Sequence, residues 1–213
     1  MKYTKTTLLA LAAALGLAGA AHGQTTFSFH DGSNTIGTGS AFDDAEGSVQ
    51  DTQGSFTLTA EAFLDGVSIG TDFNGATGSF GINDSESGDE TQRFDNDNGI
   101  ESMVFSFNIG GTFDSIDLRF IEETANEGVL AFDGGNTFEL NTTTALSGDD
   151  DFTIAETFTA GQSITLQISA SAGAGENFSL ESFTVSAVPE PSSFALIAGI
   201  FGLASVVLRR RRA

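Results

Sequence analysis

The feature that most constrains this chain is a period of two. In SFTLTAEAFL, Phe56, Leu58, Ala60, Ala62 and Leu64 share one face of an extended strand, because successive side chains of a strand point to opposite sides. SMVFSFNI repeats the pattern with Met103, Phe105, Phe107 and Ile109. After a Gly110-Gly111 turn, SIDLRF aligns Ile116, Leu118 and Phe120 against Asp117 and Arg119, and QSITLQISA aligns Ile164, Leu166, Ile168 and Ala170. In NFSLESFTVSA the apolar set begins on Phe178 and Leu180 and changes phase to Phe183 and Val185, the mark of a bulge. Further strands are expected at 27–29, 78–82, 129–132, 138–140 and 152–158. Turn clusters (DGSN, NDSESGD, DNDNG, DGGN, SGDDD) separate these stretches, and no helical periodicity of useful length occurs between residues 24 and 187. Many short strands with one apolar face predict an all-β domain, an antiparallel β-sandwich or jelly roll. With no cysteine and 20 phenylalanines, its stability must come from an aromatic core rather than disulfides.

The two ends obey other rules. Lys2 and Lys5 precede an apolar run, LLALAAALGLAGAA, and Ala21-His22-Gly23 places small residues at −3 and −1 of a cut between Gly23 and Gln24. Residues 1–23 are therefore expected to be a secretory signal peptide, residues 24–187 the folded domain, and residues 188–213 a separate tail. The division changes the electrostatics. Only Glu190 of the 29 acids lies outside 24–187, and only Arg93 and Arg119 of the eight basic residues lie inside it. Twenty-eight acids against two arginines give that segment a formal charge of −26, beyond the whole-chain value of −21. Such a domain is repelled by nucleic acid and by anionic membrane surfaces, and no basic patch could neutralise phosphates.

The tail reads VPEPSSFALIAGIFGLASVVLRRRRA. Pro189 and Pro191 stop any strand ladder. Residues 194–208 carry no charge; as a helix they would span roughly 22 Å at about 1.5 Å per residue, against about 30 Å of hydrocarbon. Arg209, Arg210, Arg211 and Arg212 would hold the end of this short transmembrane helix on the cytoplasmic side. The order Pro189-Glu190-Pro191, apolar run, arginine cluster, together with the N-terminal signal, resembles the PEP-CTERM sorting signal of bacterial exported proteins. The resemblance implies that a membrane-embedded, exosortase-like enzyme cuts near Pro189, Glu190 and Pro191. On that reading the protein is anchored transiently in the inner membrane and then passed to the cell surface or extracellular matrix. It further implies a Gram-negative bacterium that makes exopolysaccharide, and hence a biofilm-matrix setting.

Catalytic chemistry finds little support. Beyond the signal peptide only His30 could serve a Ser-His-Asp triad, and no G-x-S-x-G elbow is present. The domain has no lysine for a Schiff base and no phosphate-cradling glycine loop. Paired carboxylates are abundant by composition alone, and residues 24–187 hold neither Trp nor Tyr to stack on sugar rings. No cofactor is implied, apart from a calcium candidate at Asp95-Asn96-Asp97-Asn98-Gly99-Ile100-Glu101, with Asp95, Asp97 and Glu101 as oxygen ligands at a glycine bend. Asp149-Asp150-Asp151 is a second, equally generic cluster. The sequence thus reads as an exported, non-catalytic protein, structural or adhesive beside exopolysaccharide. The alternative is a carbohydrate-binding jelly-roll module with a polar, calcium-assisted site.

Overall fold

A computed structural model describes residues 23–29, 45–46, 48–68, 72–76, 79–83, 93–96, 99–119, 128–140, 149–172 and 176–188. Its strands are β1 (Gln24–Ser28), β2 (Ala45–Glu46), β3 (Ser48–Gln53), β4 (Phe56–Leu64), β5 (Asp72–Ala76), β6 (Ser79–Asn83), β7 (Phe94–Asp95), β8 (Glu101–Phe107), β9 (Gly111–Arg119), β10 (Gly128–Phe132), β11 (Thr137–Leu140), β12 (Asp149–Phe158), β13 (Ile164–Ile168) and β14 (Asn177–Ala187). Residues 24–186 form one compact unit that holds the strands up to the last residue of β14.

Two antiparallel sheets carry the fold. One runs β1-β14-β9-β12, with β7 added on β14; the other is six-stranded, in the order β11-β10-β13-β8-β4-β3. The expected antiparallel sandwich is therefore what the chain adopts. A smaller sheet, β2-β5-β6, meets the core through Phe29 and Phe80, whose rings lie 4.8 Å apart. The alternating residues of the sequence supply the interior: Phe56, Leu58, Ala60, Met103, Phe105, Phe107, Ile116, Leu118, Ile164, Leu166 and Ile168 are all buried.

The sheets are joined by phenylalanine rings. Phe183 on β14 lies 5.3 Å from Phe27 and 5.3 Å from Phe113 within its own sheet. Across the interface it stacks on Phe105 at 5.2 Å and meets Phe107 edge-on at 5.9 Å. These are the offset and T-shaped arrangements that the ring quadrupole favours. The margins close as well. Strand β1 lies beside β3, and Asn136 Nδ2 in the β10–β11 turn donates to Glu156 Oε2 of β12 at 3.0 Å.

Several local details differ from the sequence reading. Gly111 is the first residue of β9 rather than part of a turn. A Cβ there would lie 2.6 Å from the Ser186 carbonyl oxygen and 2.9 Å from the Phe158 ring, so only glycine fits where the chain passes from one sheet to the other. Ala170 is exposed in the turn after β13 rather than on its apolar face. Asp149, Asp150 and Asp151 lie in β12, paired with Arg119, Leu118 and Asp117, not in a turn. Consecutive strand residues face opposite ways, so the side chains of Asp150 and Asp151 lie on opposite sides of β12. Strands β3 and β5 were not legible, because SVQDTQ and DFNGA carry almost no apolar alternation. The β12–β9 register shifts between Thr153 and Glu156, where Ala155 takes φ +55°. The phase change of β14 appears as a buried run, 178–181, before alternation resumes. Phe120 lies outside the described residues.

Truncating Phe183 removes the ring on which both sheets meet. Phe183→Ala is expected to lower the unfolding free energy by about 3–5 kcal/mol, read by urea denaturation. Val67→Ser at the exposed tip beyond β4 should stay within about 0.5 kcal/mol. Equal effects would show that the ring cluster does not bind the sheets together.

Candidate functional site

Strand β14 is the last element of the fold, and the tail continues from it. Its eleven residues run between β1 and β9, with Phe178, Leu180, Phe183 and Val185 buried. The register with β1 pairs Gln24 with Ser186 and Ser28 with Ser182. The strand that opens at the expected signal-cleavage point is thus laid along the strand that leads into the tail. Hydroxyl groups finish this end: Thr26 and Thr184 share a hydrogen bond of 3.2 Å, and Ser186 Oγ donates to Asp114 Oδ2 on β9.

The other end of β14 is held by the two arginines of the 24–187 segment. Arg93 Nη1 donates to Asn177 Oδ1 at 2.7 Å. Arg119 Nη1 lies 3.3 Å from Glu181 Oε1, whose side chain is 7% exposed. A buried carboxylate needs a cation or several donors near it. In a domain with so few cations, both are placed against the strand that carries the tail. These arginines had no role legible in the sequence, since nothing local marks the pairing of Arg119 with a residue on another strand.

The tail supplies the recognisable signal. Residues 187–212 match the PEP-CTERM protein-sorting motif. The chain carries a PEP-CTERM sorting signal. The motif marks an exported protein that is handled at the membrane and processed at its C-terminus by an exosortase-like enzyme. The match begins at Ala187, the last residue of β14, so motif and core meet without an intervening segment. No curated protein matches the chain. Pro189, Glu190, Pro191, the expected helix at 194–208 and Arg209, Arg210, Arg211 and Arg212 lie outside the described residues. Among the described residues no helix is long and apolar enough to cross a membrane.

The calcium candidate is brought partly together. Asp95 ends β7 and Glu101 opens β8, and both are buried. The Asp95 N–H donates to Glu101 Oε2 at 2.9 Å. Nearby, the Ile100 N–H donates to Asp65 Oδ1 at 3.0 Å, and the Asp65 N–H donates to the Ile100 carbonyl at 3.0 Å. Carboxylates of this corner therefore close the loop by capping backbone donors. Asp97 lies outside the described residues, as does His30. Among the described residues no group of three or more His, Cys, Asp or Glu side chains is placed to hold a metal ion.

A second surface was not foreseen. The outer face of the six-stranded sheet is laid out by register: Phe63 sits across from Ser102, Ser102 from Gln167, Glu61 from Val104, and Val104 from Thr165. Of these, Phe63, Ser102, Val104, Thr165 and Gln167, with Asp65 of the β4 turn, line a groove of about 420 Å³, and Glu61 stands on the same face outside it. Among the described residues Phe63 is the one phenylalanine on the solvent side of a sheet. The signal for it was present in the sequence, because Phe63 falls on the polar phase of TLTAEAFL between Glu61 and Asp65.

Breaking the clamp on β14 should be costly. Arg119→Met is expected to destabilise the domain by on the order of 3 kcal/mol by urea denaturation at neutral pH. A loss under about 0.5 kcal/mol would place the pair among solvated surface bridges and remove the clamp from the account.

Proposed function

We propose that this is an exported, non-catalytic protein of the cell surface or extracellular matrix. It is directed out by a signal peptide cut between Gly23 and Gln24 and held transiently in the inner membrane by residues 194–208 and the arginine cluster. An exosortase-like cut near Pro189, Glu190 and Pro191 then releases it. Its role is structural or adhesive beside exopolysaccharide. The observation that carries the reading is the abrupt junction of core and sorting motif at the end of β14. Because Gln24 and Ser186 are already paired at that end, both extensions can be removed without taking a core residue with them.

A second reading, a carbohydrate-binding module with a polar site on a sheet face, draws on the groove across β4, β8 and β13. Calcium at Asp95, Asp97 and Glu101 accompanies either reading. It would offset part of the −26 charge and could bridge the domain to an anionic polymer.

Intact mass spectrometry of the protein from each fraction of its producing cells tests the export reading. The expected species begins at Gln24, ends between Val188 and Pro191, and lies outside the inner membrane. A species that keeps Arg209 to Arg212 and stays in the inner membrane would make the tail a plain anchor and overturn the reading. For calcium, thermal unfolding in millimolar calcium against chelator should show a higher Tm with the ion, since a ligand bound only by the native state stabilises it. The difference should vanish in Asp97→Asn. An unchanged Tm would leave the loop as a turn closed by its own hydrogen bonds.

A further inference from the structure

The groove on the outer face of the six-stranded sheet has a composition unlike the rest of this acidic domain. Phe63, Ser102, Val104, Thr165 and Gln167 on its three strands are uncharged and Asp65 is its one carboxylate; Glu61 stands on the same sheet face, opposite Val104. Asp65 stands at the rim, exposed, in the β4 turn with φ +50°. Elsewhere the phenylalanines of the described strands turn inward, toward the sandwich interior or the smaller sheet. Placing one on the polar phase of β4 leaves part of a ring in water, which costs apolar contact that a core position would have supplied.

Three properties of the floor define what would cover that ring. Phe63 and Val104 offer an apolar patch that suits the C–H face of a ring-shaped ligand. Beside it, Gln167 presents both an amide donor and a carbonyl acceptor, Thr165 a hydroxyl that can do either, and Asp65 a carboxylate at the rim. Apolar and hydrogen-bonding side chains here share a space of about 420 Å³, within the size range of small-molecule sites, about 300–1,000 Å³. Charge decides between ligand classes. The −26 segment repels polyanions at long range. A polycation would be drawn to the domain's many carboxylates, of which the groove holds only Asp65.

We infer that this groove binds a segment of an uncharged, polyhydroxylated chain, a neutral glycan, with one sugar ring against Phe63 and its hydroxyl groups on Gln167, Thr165 and Asp65. The inference rests on the polysaccharide-associated reading above and names the surface that would perform it. Since no net charge is exchanged, the binding is independent of salt, unlike a contact built on ion pairs.

The test uses the full-length chain in a detergent without sugar headgroups, titrated calorimetrically with dextran and laminarin as neutral glycans, alginate as a polyanion and chitosan as a polycation. The expected result is saturable binding to a neutral glycan, unchanged by added salt. It should weaken about tenfold or more, a loss of about 1.4 kcal/mol, in Phe63→Ala and in Gln167→Ala. Tm of each variant confirms folding. Thr165→Trp, which fills the groove rather than emptying it, should abolish binding even if Phe63→Ala proves unstable. Binding that survives Gln167→Ala and Thr165→Trp would overturn the site. Absence of binding to both neutral glycans, or binding confined to alginate or chitosan, would overturn the ligand class. Either failure alongside a correctly processed, released protein would leave the export reading intact. Retention of the tail in the inner membrane alongside glycan binding would do the reverse.

Discussion

The fold depends on the ring cluster around Phe183. Without disulfides, an all-β domain must hold its two sheets together by what they bury between them. Here that contact is aromatic: Phe183 meets Phe27 and Phe113 in its own sheet and Phe105 and Phe107 across the interface. The same strand receives Arg93 through Asn177 and Arg119 through Glu181. Packing and electrostatics therefore converge on β14, the element that leads directly into the sorting motif. A strand tied this firmly can carry a processed extension, because removing residues beyond Ala187 touches none of these contacts.

The order of the sheet also bears on export. Strand β1 finds its partner at the far end of the domain, with Thr26 bonded to Thr184 across 158 residues. Loop closure of that length precedes any gain from pairing, and such topologies fold slowly. The first sheet cannot be completed until the last strand is available. Completion of the domain therefore waits for the strand that leads into the sorting tail.

Charge shapes the surface in a complementary way. The formal charge of −26 over residues 24–187 repels polyanions, and the two arginines of that segment are placed against β14. The outer face of the six-stranded sheet carries hydroxyls, amides, the Glu61 carboxylate and, near the end of β4, the Phe63 ring.

The sequence by itself determined the fold class, the strands with strong alternation and the sorting tail. Each is written locally: β4, β8 and β13 by residues two apart, the tail by a tripeptide, an apolar run and four arginines in order. Polar strands such as β3 were illegible because their pairing, not their own side chains, makes them strands. The site was legible in part. The spacing of Asp95 and Glu101 marked them as calcium ligands; the structure shows Glu101 accepting the Asp95 N–H. Phe63 was visible only as an apolar residue on the wrong phase. Tertiary structure alone decided what lies beside it, since Ser102, Val104, Thr165 and Gln167 come from strands far apart in the chain. It also decided that Arg119 faces Glu181 and that Gln24 lies beside Ser186. Register between distant strands is set by the packing of all the inward faces at once, and no local pattern encodes it.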